Sequence, residues 1–212
     1  MGKLNQSRMV PMTANEDAPV KSADNAAGWV VWLNQYYLRY RPMTDPAVYA
    51  ALIAFRDIAE QVRSRGSKLI FAGNGASASI AAHGSVDFTK QGKVRSINFN
   101  EANLITAFSN DYGYENWVAR AMEAYADEGD VAVLISVSGS SPNLVEAARY
   151  AKERGMTVVT FTGNGSDNML KTLGDVNFWI ESSAYNVVEC VHMTWLTTVV
   201  DMVVGQAEYS VN

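Results

Sequence analysis

The sequence predicts a three-layer α-β-α sandwich built on a five-stranded, mainly parallel sheet and preceded by an N-terminal helix pair. Three observations predict it. Short apolar runs alternate with helical segments from Lys68 onward, the pattern of βαβ units whose sheet is covered on both faces. A helical periodicity occupies residues 26–65, ahead of the first run. Two of the runs lead straight into loops dense in glycine and serine, at the strand ends where such sheets bind ligands.

Residues 1–25 are polar, contain Pro11 and Pro19, and read as a flexible arm, which leaves 26–212 as a single domain that includes the helices of 26–65. The first helical pattern runs from about Ala26 to Tyr40, where Trp29, Val30, Trp32, Leu33, Tyr36 and Tyr37 form an aromatic face suited to a contact between subunits. The second runs from about Asp45 to Arg65, with Val48, Leu52, Phe55, Ile58, Ala59 and Val62 at three-to-four spacing. Strands are expected at Lys68–Ala72, Arg95–Phe99, Val131–Ser136, Thr157–Phe161 and Val176–Ile180. Helices are expected at Ser77–Phe88, Tyr114–Ala126 and Pro142–Arg154, with a short one after Asp167 and a long last one from about Tyr185 to Val204.

The bulk composition sets outer limits. In 212 residues, 48% are hydrophobic and 18% charged, a balance that builds a core and argues against disorder. A net charge of −5 argues against a nucleic-acid-binding surface, so an anionic ligand must be held by local donors and helix ends. Cys190 is the single cysteine and sits in an apolar helical pattern, which excludes an intrachain disulfide and points to a reducing, cytoplasmic setting. Neither a signal-peptide core nor a run of about 20 apolar residues is present, so no membrane partner is expected.

The chemistry lies in the two loops. In FAGNGASAS, Phe71 to Ser79, Gly73 and Gly75 allow a tight turn, and Ser77 and Ser79 place hydroxyls at a helix start whose free N–H groups favour an anion. The string lacks the spacing of a dinucleotide fingerprint and the lysine of a Walker loop. In ISVSGSSPN, Ile135 to Asn143, Ser136, Ser138, Ser140 and Ser141 surround Gly139, and Pro142 suits the first helical turn. Capping a helix needs one serine; the others are free to hold a phosphate as neutral donors.

These loops, together with SNDYGYENW, GDVAVLISVSGSSPNLVEAARYAKERGMTVVTFTG and VECVHMTWL, resemble the sugar isomerase (SIS) domain family, and within it the phosphoheptose isomerases. The resemblance covers nearly all of 68–204 and implies a sugar-phosphate ligand. It assigns Asn74, Gly75, Ser77, Ser136, Ser138 and Ser141 to the phosphate and Asp111 to the sugar chain. It implies aldose–ketose isomerisation through an enediol, with Asp87 as base and Glu189 and His192 managing protons on the sugar oxygens. Some members bind zinc there, which makes His83, Asp87, Glu189 and His192 the candidate ligands. A homotetramer with sites shared between subunits is a further implication.

The chain departs from the family pattern at several of these positions. Asp87 stands where a glutamate is usual, Glu189 where a glutamine is, Asn186 where an aspartate is, and Thr197 where a histidine is. Gln91, beside Lys90, takes the place of an arginine. The family also holds regulators without catalysis, one of which binds a replication initiator, so a non-catalytic sugar-phosphate-binding regulator or adaptor is the second expectation.

Overall fold

Each central strand is an unbroken apolar run because the sheet is parallel and covered on both sides. In the computed structural model, which describes residues 22–208, the strands are β1 (Leu69–Gly73), β2 (Ser96–Asn98), β3 (Val131–Ser136), β4 (Thr157–Thr162) and β5 (Val176–Trp179). They pair in the order β2-β1-β3-β4-β5, and every pairing is parallel. All residues of β1 and β3 are buried. The helices are α1 (Ala26–Leu38), α2 (Tyr49–Arg65), α3 (Ala76–Lys90), α4 (Ala102–Tyr112), α5 (Trp117–Tyr125), α6 (Pro142–Glu153), α7 (Met169–Leu173) and α8 (Tyr185–Val204). The expected sandwich with its leading helix pair is therefore present. The arm expected over 1–25 lies, up to residue 21, outside the described residues.

Two compact units divide the chain after Arg41. In the first, α1 is capped by Asn25, whose side chain accepts from Gly28 N at 2.9 Å. Its aromatic residues stack along the helix: Trp32 lies on Tyr36 with ring centroids 4.9 Å apart, and the Tyr36 and Tyr40 hydroxyls are 2.6 Å apart. None of the α1 residues is buried.

In the second unit, alternate side chains of the strands feed two cores. On one face Ile70, Ala72, Ala132, Leu134 and Val158 pack with Trp117 and Met122 of α5, Leu144 and Ala148 of α6, and Leu170 of α7. On the other, Phe161 stacks on Phe178 at 4.2 Å, and Phe55 of α2 meets Phe88 of α3 at 5.5 Å and Phe161 at 6.3 Å. Each such fully buried ring contributes about 2–3 kcal/mol. Among the described helices, α8 alone is long and apolar enough to cross a bilayer, and half of that window is buried within the unit. Its apolarity serves this second core, where Trp195 also donates from Nε1 to Met43 O at 3.2 Å.

Four elements differ from expectation. The helix expected from about Asp45 begins at Tyr49, after a 3-10 turn at Pro46–Val48 that Asp45 caps. β2 is shorter than Arg95–Phe99, because Val94 and Phe99 turn into the core at either end while the strand between them is only half-buried. α4 was not expected; Glu101 caps it by accepting from Asn103 N and Leu104 N, and Leu104, Ile105 and Phe108 lean on the core. The helix expected from Tyr114 begins at Trp117, after Gly113 ends α4 at φ +83°.

Candidate functional site

The ends of β1 and β3 open into a pocket of about 380 Å³ lined by Asn74, Gly75, Ala76, Ser77, Ile135, Ser136, Val137, Ser138, Ser141, Tyr185 and Glu189. Two loops build it. Gly75 caps α3 at φ +55° and ψ −127°, a conformation that only glycine adopts without strain. That turn brings Ala76 and Ser77, the first residues of α3, to the pocket wall. Ser141 caps α6, and Pro142 opens its first turn. Both helix starts thus meet the pocket, where their positive dipole ends favour an anion.

The hydroxyls of the second loop converge. Ser136 Oγ lies 3.1 Å from Ser141 Oγ and 3.4 Å from Ser138 Oγ, and it accepts from Gly139 N at 3.2 Å. Gly139 lies at φ +64°, and a Cβ there would stand 2.0 Å from Asn168 Oδ1. Asn168 braces the loop from behind: its Nδ2 donates to Gly163 O and Gly165 O, and its Oδ1 caps α7 at Lys171 N. Leu170 N also donates to Gly139 O at 2.9 Å. No lysine or arginine lines the pocket among the described residues, so its donors are neutral and its one charged group is the Glu189 carboxylate.

Of the residues expected at the site, Asn74, Gly75, Ser77, Ser136, Ser138, Ser141 and Glu189 come together on this wall. The others do not. His192 is fully buried, its Nε2 3.2 Å from Thr162 O and its ring edge-on to Phe161 at 5.7 Å. Burial pushes its pKa down from 6.5 to about 4, against the bond to Thr162. The imidazole is neutral at pH 7 and is not among the side chains that line the pocket. Asp87 pairs with His83 along α3, Nε2 to Oδ2 at 3.1 Å, with His83 exposed and Asp87 largely covered; neither lines the pocket. Asp111 is exposed in the last turn of α4 and accepts from Asn110 Nδ2 at 2.9 Å.

The zinc set His83, Asp87, Glu189 and His192 is likewise not assembled. No group of three or more His, Cys, Asp or Glu side chains able to hold a metal ion occurs among the described residues. His192 spends Nε2 on the Thr162 carbonyl, and its Nδ1 is buried with no hydrogen-bond partner among the described residues; neither nitrogen meets another member of the set. No step through a metal follows from this donor set.

Residues outside the sequence-based list also belong to the site. Tyr185 shares the α8 face of Glu189, four residues away. Asn143 and Tyr114 bond to Asn74 behind the wall. At the opposite end of the sheet Lys68 Nζ lies 2.6 Å from both Asp127 and Asp130. Burial opposes the charge on Lys68, but the two carboxylates outweigh it and raise its pKa.

A parallel α/β sandwich with two helix starts and six neutral polar side chains around one pocket defines the class: an α/β protein with a polar pocket beyond the strand ends. The chain belongs to the SIS domain family, whose sequence profile matches residues 50–163. It is 36% identical over 133 residues to the phosphoheptose isomerase of Burkholderia pseudomallei, covering 60% of this chain and 68% of that one. The phosphoheptose isomerase of Roseiflexus is 29% identical over 187 residues, covering 85% of this chain and 94% of that one. The structure of phosphoheptose isomerase GmhA from Neisseria gonorrhoeae shares the fold, with a TM-score of 0.76 at 24% identity over 84% of this chain and 98% of that one.

Proposed function

We propose that this protein binds a phosphorylated sugar and catalyses aldose–ketose isomerisation of a sugar phosphate such as sedoheptulose 7-phosphate. The observation that carries the reading is the convergence of Ser77, Ser136, Ser138 and Ser141 on a pocket whose one charged wall residue is Glu189. The hydroxyls and helix starts take the phosphate. Glu189 takes the proton from the carbon beside the carbonyl and returns it to the former carbonyl carbon, while the hydroxyl proton passes from one enediol oxygen to the other, so aldose becomes ketose with no net change in charge. The relatives named phosphoheptose isomerase support this substrate class. A cytoplasmic homotetramer belongs to the same reading, with the exposed aromatic residues of α1 as its contact.

One observation favours a second reading, a non-catalytic sugar-phosphate-binding regulator. His192 is committed to the core and Asp87 to His83, so Glu189 has no acid–base partner from the expected set.

The test follows a panel of phosphorylated ketoses and aldoses by NMR, with and without zinc, alongside thermal shift. Interconversion that is lost in Glu189→Gln supports the isomerase. Stabilisation without turnover by every sugar moves the conclusion to the regulator. If Ser138→Ala combined with Ser141→Ala leaves the ligand-induced stabilisation unchanged, the phosphate pocket itself is misassigned.

A further inference from the structure

The backbone ladder joining β1 to β3 ends at the pair Gly73 and Ile135. Beyond it the two phosphate loops are tied through side chains. Asn74 Nδ2 donates to Asn143 Oδ1 at 2.9 Å, and Asn143 Nδ2 donates back to Asn74 Oδ1 at 2.9 Å. This closes a ring of two amides between residues 69 positions apart. Tyr114, in the connection between α4 and α5, donates its hydroxyl to the same Asn74 Oδ1 at 3.0 Å. Asn143 is fully buried, whereas Tyr114 is exposed over about half its surface.

A primary amide offers two N–H donors and two acceptor lone pairs. The ring and Tyr114 use both lone pairs of Asn74 and one of its N–H groups, leaving one N–H for a ligand. Asn74 lines the pocket with Ser77 on one loop, and Asn143 follows Ser141 and Pro142 on the other. The distance between the two halves of the phosphate grip is therefore set by an amide pair of which Asn74 lines the pocket and Asn143 is fully buried outside the lining.

We propose that Asn143 and Tyr114 are positioning residues of this pocket: Asn143 sets the separation of the two loops through Asn74, and Tyr114 holds Asn74 in the orientation that completes the ring. The proposal rests on the reading of the pocket as a phosphate site. Asn143→Asp tests it chemically. Ionised, the introduced carboxyl keeps the bond from Asn74 Nδ2 but sets an oxygen against Asn74 Oδ1. Protonated, it donates to that oxygen and restores both bonds. Burial and the facing oxygen raise its pKa toward neutrality. The other titratable groups around the pair are Tyr114, Tyr185 and Glu189; they are common to variant and wild type and cancel in a ratio of affinities.

Calorimetric titration with inorganic phosphate and with sedoheptulose 7-phosphate, at pH 8 and pH 5.5, gives that ratio. Asn143→Asp is expected to weaken binding roughly tenfold at pH 8, the cost of a buried acceptor left facing another acceptor, and to return toward wild type at pH 5.5. A packing defect would not be repaired by a proton. Tyr114→Phe is expected to weaken binding roughly threefold at both pH values, as for one lost hydrogen bond. If Asn143→Asp binds as wild type does at pH 8, or is equally weakened at both pH values, the positioning role is overturned. Should Asn143→Asp not fold, Tyr114→Phe decides, and unchanged binding overturns the proposal. A wild type that binds neither probe overturns the phosphate reading itself, a different result from a binding wild type with an indifferent variant.

Discussion

His192 makes the stability of this protein depend on pH in a direction that can be worked out from its surroundings. The ring is fully buried among Phe161, Trp195 and the end of β4, and its pKa falls from 6.5 to about 4. The unfolded chain thus binds a proton that the folded chain refuses between these values. Stability is complete above about pH 6.5 and is lost as pH falls toward 4. With about 1.4 kcal/mol for each factor of ten in the proton equilibrium, the loss by pH 4.5 is about 2.5 kcal/mol. His192→Leu removes the titration while nearly preserving volume. It gives up one bond to Thr162 O, but that carbonyl keeps its bond from Ile180 N at 3.1 Å, so the cost at pH 8 is about 1 kcal/mol. Urea denaturation of both proteins from pH 8 to pH 4.5 cancels every other titrating group in the difference. The variant is expected to be slightly less stable at pH 8 and more stable than wild type at pH 4.5. A difference that stays constant across this range refutes the reasoning.

Two further substitutions test the frame around the pocket. Gly139→Ala must adopt φ +64° and displace Asn168; about 1–2 kcal/mol for the left-handed backbone and about 1 kcal/mol for each disturbed Asn168 bond predict a loss near 3 kcal/mol in urea denaturation. Phosphate binding should weaken with it, since Gly139 carries Ser138 beside it. Lys68→Met leaves Asp130, which is fully buried, without its cation. Breaking such a pair from one side costs about 3–5 kcal/mol, visible as a fall in thermal midpoint, while the affinity for phosphate at the far end of the sheet should be unchanged.

Much of the fold is legible in the sequence because its signals are local. A parallel sheet buried on both faces demands continuous apolar strands, and Val131–Ser136 matches its strand to the residue. The serine loops are legible for the same reason: glycine and hydroxyl residues placed directly after a strand do their work within a few positions of one another. α4 was missed because its apolar residues Leu104, Ile105 and Phe108 make a narrow stripe and its cap is Glu101, a residue outside the usual capping set. The amide ring was out of reach because it joins two positions 69 apart, and nothing in the run SSPN marks its asparagine as a partner of Asn74.

The catalytic cluster fails to assemble for a geometric reason that spacing rules conceal. Glu189 and His192 are three residues apart and share a helix side in the loose sense, yet three residues leave them about 60° apart around the axis at 3.6 residues per turn. On a helix lying over the sheet, 60° separates the pocket from the core. Glu189 falls on the pocket side with Tyr185, four residues earlier, while His192 falls on the inner side with Val188, Trp195 and Val199, all buried. The pair at His83 and Asp87 does meet at four-residue spacing, but on a stretch of α3 that lies beyond the two residues at its start that reach the pocket. Spacing along a helix therefore says which side chains can meet each other and leaves open which surface they serve. Here the answer leaves Glu189 as the one carboxylate among five hydroxyl side chains on the pocket wall, and makes Glu189→Gln the substitution on which the isomerase reading depends.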